Sequence, residues 1–311
     1  VTGRDTTMPD AWEATAPDPD EVRRVVATAL EEDLRYGPDA TTEATVPAGA
    51  TAVAELTPRT GGVLAGVGIA RTVFDTVFAD RTGPGHEVLT ARADGARLAA
   101  GEPALVVRGG VRGLLTAERT ALNLLCHLSG VATATAAWVD RVAGTGCVIR
   151  DSRKTLPGLR ALEKYAVRCG GGRNHRLGLG DAVLIKDNHV VAAGSVTEAL
   201  RLARQRAADL PCEVEVDRID QLTEALRAGA DEVLLDNFTP DACAEAVRLR
   251  DRLSPATRLE ASGGLRLDNA AAYAASGVDY LAVGALTHSS PALDLGMDLR
   301  TDVRPAPAPG A

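Results

Sequence analysis

Between residues 151 and 190 the chain reads DSRKTLPGLRALEKYAVRCGGGRNHRLGLGDAVLIKDNHV, with eight Lys and Arg against four Asp and Glu, while the rest of the chain carries 26 against 38. Arg153, Lys154, His175, Arg176 and Lys186 are the members of this run that could do chemistry. Guanidinium forks and ammonium point charges suit a ligand bearing several negative charges, and the glycines of GGGRNHR let a loop turn tightly into a pocket. Downstream, Glu215 and Asp236 offer carboxylates. Mg²⁺ commonly takes one or two protein carboxylates together with phosphate oxygens of a substrate, so these two suit a metal, ribose hydroxyls or simple compensation of the neighbouring cations. Ser262, Gly263 and Gly264, followed by a helix expected from Arg266, read as a phosphate cradle: glycine backbone approaches a ligand closely, and a helix start directs free N–H groups at an anion. Gly284 stands at the next strand end, and His288 lies four residues beyond it. The ligand expected of this set is small and polyanionic.

Other residues carry plainer expectations. Arg160, Glu163, Lys164 and Arg168 read as the solvated face of a helix. His127, in the apolar run NLLCHLSG, reads as a hydrogen-bonded core histidine, and His86 and His189 receive no role. Gly66-x-Gly68 lacks the third glycine of a dinucleotide fingerprint, Arg71 standing there, and is expected to be a turn. No Ser-His-Asp set, Cys-His pair or zinc-ligand spacing stands out.

Composition narrows the class. The chain has 311 residues, 45% hydrophobic but only 3% aromatic, and a formal net charge of -8. Its core must be built from Ala, Val and Leu, and its acidity argues against a nucleic-acid partner. Five widely spaced cysteines without a CxxC pair fit a reduced, cytoplasmic protein. No apolar run reaches the ~18 residues that a membrane span needs, so no membrane partner is expected. Residues 1–18 read as a disordered leader.

The elements that must position these groups follow from periodicity. A helix is expected over 19–35, short strands over 51–56, 86–93 and 102–109, and a helix over 69–78, giving a small mixed sheet with a helix against it. A long apolar helix over 116–142 is expected to break or bend near Ser129-Gly130. Six strand candidates then alternate with helices: 147–151, 182–187, 212–217, 232–237, 258–262 and 280–285. Such alternation implies parallel strands with right-handed crossovers, hence a compact β/α barrel, complete or not, with an open doubly wound sheet as the alternative. In a parallel barrel all the C-terminal strand ends open on one face, where sites are built, and the cations, carboxylates and glycines named above stand at those ends.

The stretches ERTALNLLCHLSGVATAT, the 151–190 run, CEVEVD, LLDNF, SGGL and DYLAVGALTHS, in unbroken order between about Asp33 and Asp298, resemble the quinolinate phosphoribosyltransferases. The resemblance implies an α/β fold with an N-terminal α/β sandwich domain over 19–130, an incomplete parallel β/α barrel over 131–286, a return of the chain to the first domain over 287–300, and a disordered tail over 301–311. It implies transfer of phosphoribosyl from phosphoribosyl pyrophosphate to quinolinate, with Mg²⁺, giving nicotinate mononucleotide, pyrophosphate and CO₂ in de novo NAD synthesis. It further implies a homodimer with shared sites, in which Arg119 of ERTALN is donated to the neighbour. By motif, Arg153, His175 and Arg176 would hold the quinolinate carboxylates. Lys154 and Lys186 would meet carboxylate and pyrophosphate, Glu215 and Asp236 the ribose and metal, and Ser262, Gly263 and Gly264 with Val283, Gly284 and Ala285 the 5-phosphate. Lys154, Lys186, Glu215 and Asp236 would be the catalytic set. Many members have threonine where this chain has Ser152, which keeps the hydroxyl. A related transferase acting on another acidic base, or the related protein found with molybdate transport, is the nearest rival, and the joint presence of Arg119, Arg153, His175, Arg176 and Lys186 favours a dicarboxylate instead; a silent phosphate-binding regulator is the rival of another class, and Glu215 and Asp236 argue against it.

Overall fold

The computed structural model describes residues 16–79 and 83–301. The leader expected over 1–18 and the tail expected over 301–311 therefore lie outside the described residues, save for 16–18 and 301. The chain divides into two compact units. One is Ala16–Thr133 together with the chain from Pro291 onward, and the other is Ala134–Ser290.

In the first unit, α1 (Pro19–Leu34) begins where Asp18 accepts a hydrogen bond from the Asp20 backbone N–H and Pro19 enters the first turn, where a missing N–H costs nothing. Its buried stripe is Val22, Val25, Val26 and Leu30. A short helix that periodicity did not reveal, α2 (Ala40–Thr45), is capped by Asp39. Strand β1 (Thr51–Pro58) alternates, with Ala52, Ala54 and Leu56 buried. After β2 (Gly62–Val63) comes the turn at Gly66, whose φ of +97° leads into α3 (Val67–Ala79). Next come β3 (His86–Ala91), β4 (Arg97–Leu98) and β5 (Leu105–Gly110). The last strand, β12 (Leu295–Thr301), returns from the chain end to pair with β1, giving the order β12-β1-β5-β3. Every pairing in this sheet is antiparallel. A mixed sheet was expected because alternation along a strand does not encode the direction of its neighbour.

Helix α4 (Val111–Arg141) runs unbroken through Ser129 and Gly130, contrary to the expected break, and the division between the units falls within it. Gly130 has a different use. A Cβ there would lie 2.2 Å from the Pro291 carbonyl oxygen, so the glycine admits a crossing backbone rather than ending the helix. By length and composition α4 is also apolar enough to cross a membrane, which the sequence was not expected to contain. Of its most apolar window 61% is buried within the protein, and Leu114, Ala121, Leu125 and Leu128 lie at helical spacing among its buried residues, as in a core helix.

The second unit alternates strand and helix: β6 (Val148–Arg150), α5 (Arg160–Cys169), β7 (Val183–Ile185), α6 (Asp187–Ala193), α7 (Val196–Arg206), β8 (Cys212–Val216), α8 (Ile219–Arg227), β9 (Glu232–Asp236), α9 (Pro240–Leu253), β10 (Arg258–Ser262), α10 (Ala270–Ala275), β11 (Tyr280–Ala282) and α11 (Ala285–His288). The six strands pair in parallel in the order β6-β11-β10-β9-β8-β7. The first two strands in sequence thus form the two edges, and no pairing between them closes the sheet among the described residues. The fold is α/β with an incomplete parallel barrel. An isolated bridge between Arg150 and Arg173 lays the segment after α5 against the free edge of β6.

Register sorts the strand residues into two sets. Val214, Val233, Leu235, Leu259, Ala261 and Leu281 lie on one face and are buried. The opposite face carries Glu213, Glu215, Glu232, Asp236, Glu260 and Ser262. Side chains alternate with a period of two along a strand, so an apolar layer on one face leaves polar groups to the other.

Candidate active site

The C-terminal ends of the six strands surround a cavity of about 580 Å³ that belongs wholly to the second unit. After β6 the chain presents Ser152, Arg153 and Lys154. Ser152 Oγ accepts the Lys154 N–H at 3.1 Å, and Thr287 Oγ1 donates to the Lys154 carbonyl at 2.8 Å, which fixes this turn from two sides. After β7, Lys186 caps α6. Its N–H donates to His189 Nδ1 at 2.9 Å, which gives that histidine a structural role, and its Nζ lies 2.5 Å from Glu215 Oε2 at the end of β8.

Asp236 ends β9, next to Glu215 on β8. Burial first, and then the Glu215 charge, push the Asp236 carboxyl above its ordinary range, while Lys186 and Lys154 pull it down. Two hard oxygen donors that repel one another fit the place of a divalent cation such as Mg²⁺. Asn237, at φ +58°, donates from its backbone N–H to the Ser262 carbonyl at 2.8 Å.

Past Ser262, Gly263 and Gly264 have φ of +87° and +61°. A Cβ on Gly263 would lie 2.1 Å from Asn237 Oδ1, so both its backbone angle and its surroundings require glycine. The helix expected from Arg266 starts only at Ala270, because Asn269 holds the intervening turn, accepting the Arg266 N–H at 2.9 Å and donating to the Gly264 carbonyl at 3.2 Å. No helix start therefore faces the cradle there; the glycine backbone and the Ser262 hydroxyl form it. Strand β11 also ends earlier than expected. Val283 and Gly284 link it to Ala285, the first residue of α11; Gly284 packs against Ser152 and Lys154, and His288 Nε2 comes within 3.7 Å of where a Gly284 Cβ would be. Ser262, Gly263, Gly264, Val283, Gly284, Ala285 and His288 all line the cavity.

His175 and Arg176 arrive from the segment bridged to β6, and both are buried at the cavity wall. His175 differs from its expected part as a free carboxylate ligand. Its Nε2 lies 2.8 Å from Glu213 Oε2, and its Nδ1 accepts the Arg176 backbone N–H at 2.8 Å, so both ring nitrogens are engaged within the protein. Burial works against the imidazolium, but Glu260 and Glu213 outweigh it and raise the pKa to about 9. An imidazolium carries N–H at both nitrogens, so uptake of a second proton requires the Arg176 contact to open. As placed, Nε2 faces Glu213 and Nδ1 accepts from Arg176, while the two glutamates favour the imidazolium at neutral pH at the expense of that Arg176 bond.

The two arginines behave differently. Arg153 Nε and Arg176 Nε are buried without a hydrogen-bond partner among the described residues, although Arg176 also donates to the Ala182 carbonyl at 3.2 Å. Burial, and then the Arg153 charge beside it, draw the Arg176 guanidinium below its ordinary pKa. Two guanidinium groups kept close together with unpaired donors are suited to a dianion. Arg119 does not line the cavity; it lies on α4 in the other unit with its side chain 64% exposed.

Several charged groups beneath the cavity were not foreseen. Arg150 donates to Glu260 at 2.8 Å and to Glu232, and its guanidinium lies over the Tyr280 ring. The alternation in CEVEVD and RLEAS was the available signal: apolar positions committed to the helices leave glutamates facing inward. Lys164 and Glu163, expected on a solvated face, are fully buried. Lys164 Nζ donates to Asp151 Oδ1 at 2.5 Å and to the His175 carbonyl at 2.9 Å, and Glu163 accepts the Leu156 N–H at 3.1 Å.

Comparison with known proteins gives a consistent result. Residues 39–129 match the family model for the N-terminal domain of quinolinate phosphoribosyl transferase, and residues 131–298 match that for its C-terminal domain. A nicotinate-nucleotide pyrophosphorylase [carboxylating] from Mycobacterium leprae is 59% identical over 280 residues, spanning 90% of this chain and 98% of that one. The human protein of the same name is 40% identical over 259 residues, spanning 82% and 84%. The crystal structure of NadC from Streptococcus pyogenes superposes with a TM-score of 0.85 at 38% identity, covering 92% of this chain and 99% of that one.

Proposed function

We infer the reaction from the premise that this chain belongs to the quinolinate phosphoribosyltransferase family: it transfers phosphoribosyl from phosphoribosyl pyrophosphate to quinolinate and releases pyrophosphate and CO₂, forming nicotinate mononucleotide for NAD synthesis. The observation that carries the reading to this pocket is the Arg153–Arg176 pair: both residues line the cavity, and the Nε of each is buried without a hydrogen-bond partner among the described residues. A base with one carboxylate would leave one of them unmatched.

In this reading the pyridine nitrogen attacks the anomeric carbon. The bond from that carbon to pyrophosphate breaks, and its electron pair leaves with the pyrophosphate. Lys154 and Lys186 face the negative charge that gathers there, and preorganised charge of this kind lowers the barrier without reorganisation. Glu215 and Asp236 face the positive charge that develops on the sugar and hold its hydroxyls. Bound with the substrate, Mg²⁺ would rest on these two carboxylates and neutralise charge on the leaving group. Ser262, Gly263, Gly264 and Gly284 receive the 5-phosphate on backbone and hydroxyl donors, with His288 at the edge. The quaternised ring then loses its 2-carboxylate: the carbon–carbon electrons stay on C2 beside the cationic nitrogen, CO₂ departs, and C2 takes a proton from water. Arg153 and Arg176 orient the carboxylates, and this positioning, more than any protein nucleophile, carries the rate.

The reading includes a second copy of the chain. Arg119 is exposed and outside the cavity lining, which accords with delivery to a neighbouring subunit's site in a homodimer. Substrate choice tests the whole assignment. With Mg²⁺ and phosphoribosyl pyrophosphate, quinolinate should yield pyrophosphate and CO₂ in equal amounts, chelation should stop both, and nicotinate should yield neither. Equal turnover of nicotinate would refute the dicarboxylate assignment.

A further inference from the structure

Two of the cations that line the cavity come from separate segments. Arg153 follows the end of β6, and Arg176 follows the bridged segment after α5. Their charges oppose one another, so something must hold the segments together. Behind them lies a buried cluster, of which Asp151 borders the cavity. Lys164 and Asp151 are both fully buried, with Nζ 2.5 Å from Asp151 Oδ1. The same Nζ donates to the His175 carbonyl at 2.9 Å, the His175 N–H donates back to Asp151 Oδ1 at 2.8 Å, and Asn174 Nδ2 donates to Asp151 Oδ2 at 2.6 Å and to the Lys164 carbonyl at 2.9 Å. Asp151 stands two residues before Arg153, and His175 one residue before Arg176.

Stability alone does not account for this arrangement. Burial pushes the Asp151 carboxyl up and the Lys164 ammonium down, each opposed by the other's charge. Replacing a buried ion pair with apolar side chains of similar size is often neutral or stabilising. What an apolar pair cannot supply is direction: four of these bonds run between Asp151 or Lys164 and the backbone or side chain of residues 174–175, locking the two segments in one register.

We propose that Lys164 and Asp151 are positioning residues that set the spacing of Arg153 and Arg176, and through it the recognition of a vicinal dicarboxylate. The proposal rests on the quinolinate reading above. It assigns the pair no bond to substrate and no part in the 5-phosphate cradle, which is built from the ends of β10 and β11.

The test is the paired substitution Lys164→Met/Asp151→Asn, which removes both charges together, with folding followed by circular dichroism and thermal unfolding. For the folded variant, KM for quinolinate should rise about tenfold or more, as expected when reacting groups are misplaced by a fraction of an ångström to an ångström. KM for phosphoribosyl pyrophosphate should stay within about twofold of the wild type. A general loosening would move both. Asn174→Ser removes the bonds from Asn174 to Asp151 and to the Lys164 carbonyl and keeps the ion pair, so it should fold and raise the quinolinate KM by about threefold or more, at least the worth of one hydrogen bond. A folded paired variant with unchanged quinolinate KM overturns the proposal. If the paired variant does not fold, an unchanged quinolinate KM in Asn174→Ser does so alone. Wild-type turnover and calorimetric binding of quinolinate, measured first, separate the two ideas: a wild type that neither turns over nor binds it removes the functional reading and the proposal together, whereas normal wild-type behaviour with unaffected variants removes the proposal only.

Discussion

Lys186 and Arg150 are both cations paired to glutamate, yet their surroundings give them opposite uses. Lys186 is 45% exposed in its side chain at the cavity mouth, and Arg150 only 4% beneath the floor. Lys154→Ala and Lys186→Ala should each lower kcat by roughly 2.7 to 4 kcal/mol in barrier terms, the loss typical of one transition-state donor, with unfolding curves close to wild type. Normal turnover in either would show the roles to be misplaced. Arg150→Met should do the reverse of leaving the fold intact. It strands Glu232 and Glu260 as buried carboxylates and should cost about 3 to 5 kcal/mol of stability in urea unfolding; a variant as stable as wild type would mean those carboxylates are otherwise compensated. The sequence made the mouth visible and hid the floor. Arg153, Lys154 and Lys186 follow strand-like runs, so position alone marks them. Lys164 sits in a helix whose charges look solvated by spacing, and its partner Asp151 is thirteen residues away on another element, a pairing that only the fold creates. His175 was rightly brought to the cavity wall, but the partners that occupy its ring, Glu213 and the Arg176 N–H, could not be read from GGGRNHR.

Elements were legible where periodicity is forced by burial. The six parallel strands carry apolar residues at alternate positions because one face must meet helices, and their order along the chain fixed which ends share a side. Ends of helices were less legible. Asn269 delays α10 by making local hydrogen bonds that compete with the helix, and Gly130 looked like a breaker in α4 when its role is close packing. That role has a measurable consequence. On propensity alone Gly130→Ala should stabilise a helix by about 1 kcal/mol. Here the new Cβ would meet the Pro291 carbonyl at 2.2 Å, so the variant should instead lose about 1 to 3 kcal/mol, the usual cost of overpacking, in chemical denaturation. A stabilised variant would contradict the close approach.

At the scale of the whole molecule, the cavity gathers cations and carboxylates from strand ends up to about eighty residues apart, while Arg119 stays outside its lining. If a neighbouring copy supplies that arginine, Arg119→Ala and Lys186→Ala should each be inactive alone. Randomly exchanged, half of the dimers are mixed, and each mixed dimer has one site with both residues intact; about a quarter of wild-type activity should return. No recovery after demonstrated subunit exchange would mean that Arg119 serves its own subunit or none. The central claim, that this pocket joins a ribosyl phosphate to quinolinate and then expels the carboxylate beside the new cationic nitrogen, is tested most directly by the fate of labelled carbon. Quinolinate labelled with ¹³C in the 2-carboxyl group should release all of its label as CO₂, and only when phosphoribosyl pyrophosphate is present, whereas label in the 3-carboxyl group should remain in the mononucleotide. Release from the 3-carboxyl group, or release without phosphoribosyl pyrophosphate, would contradict it.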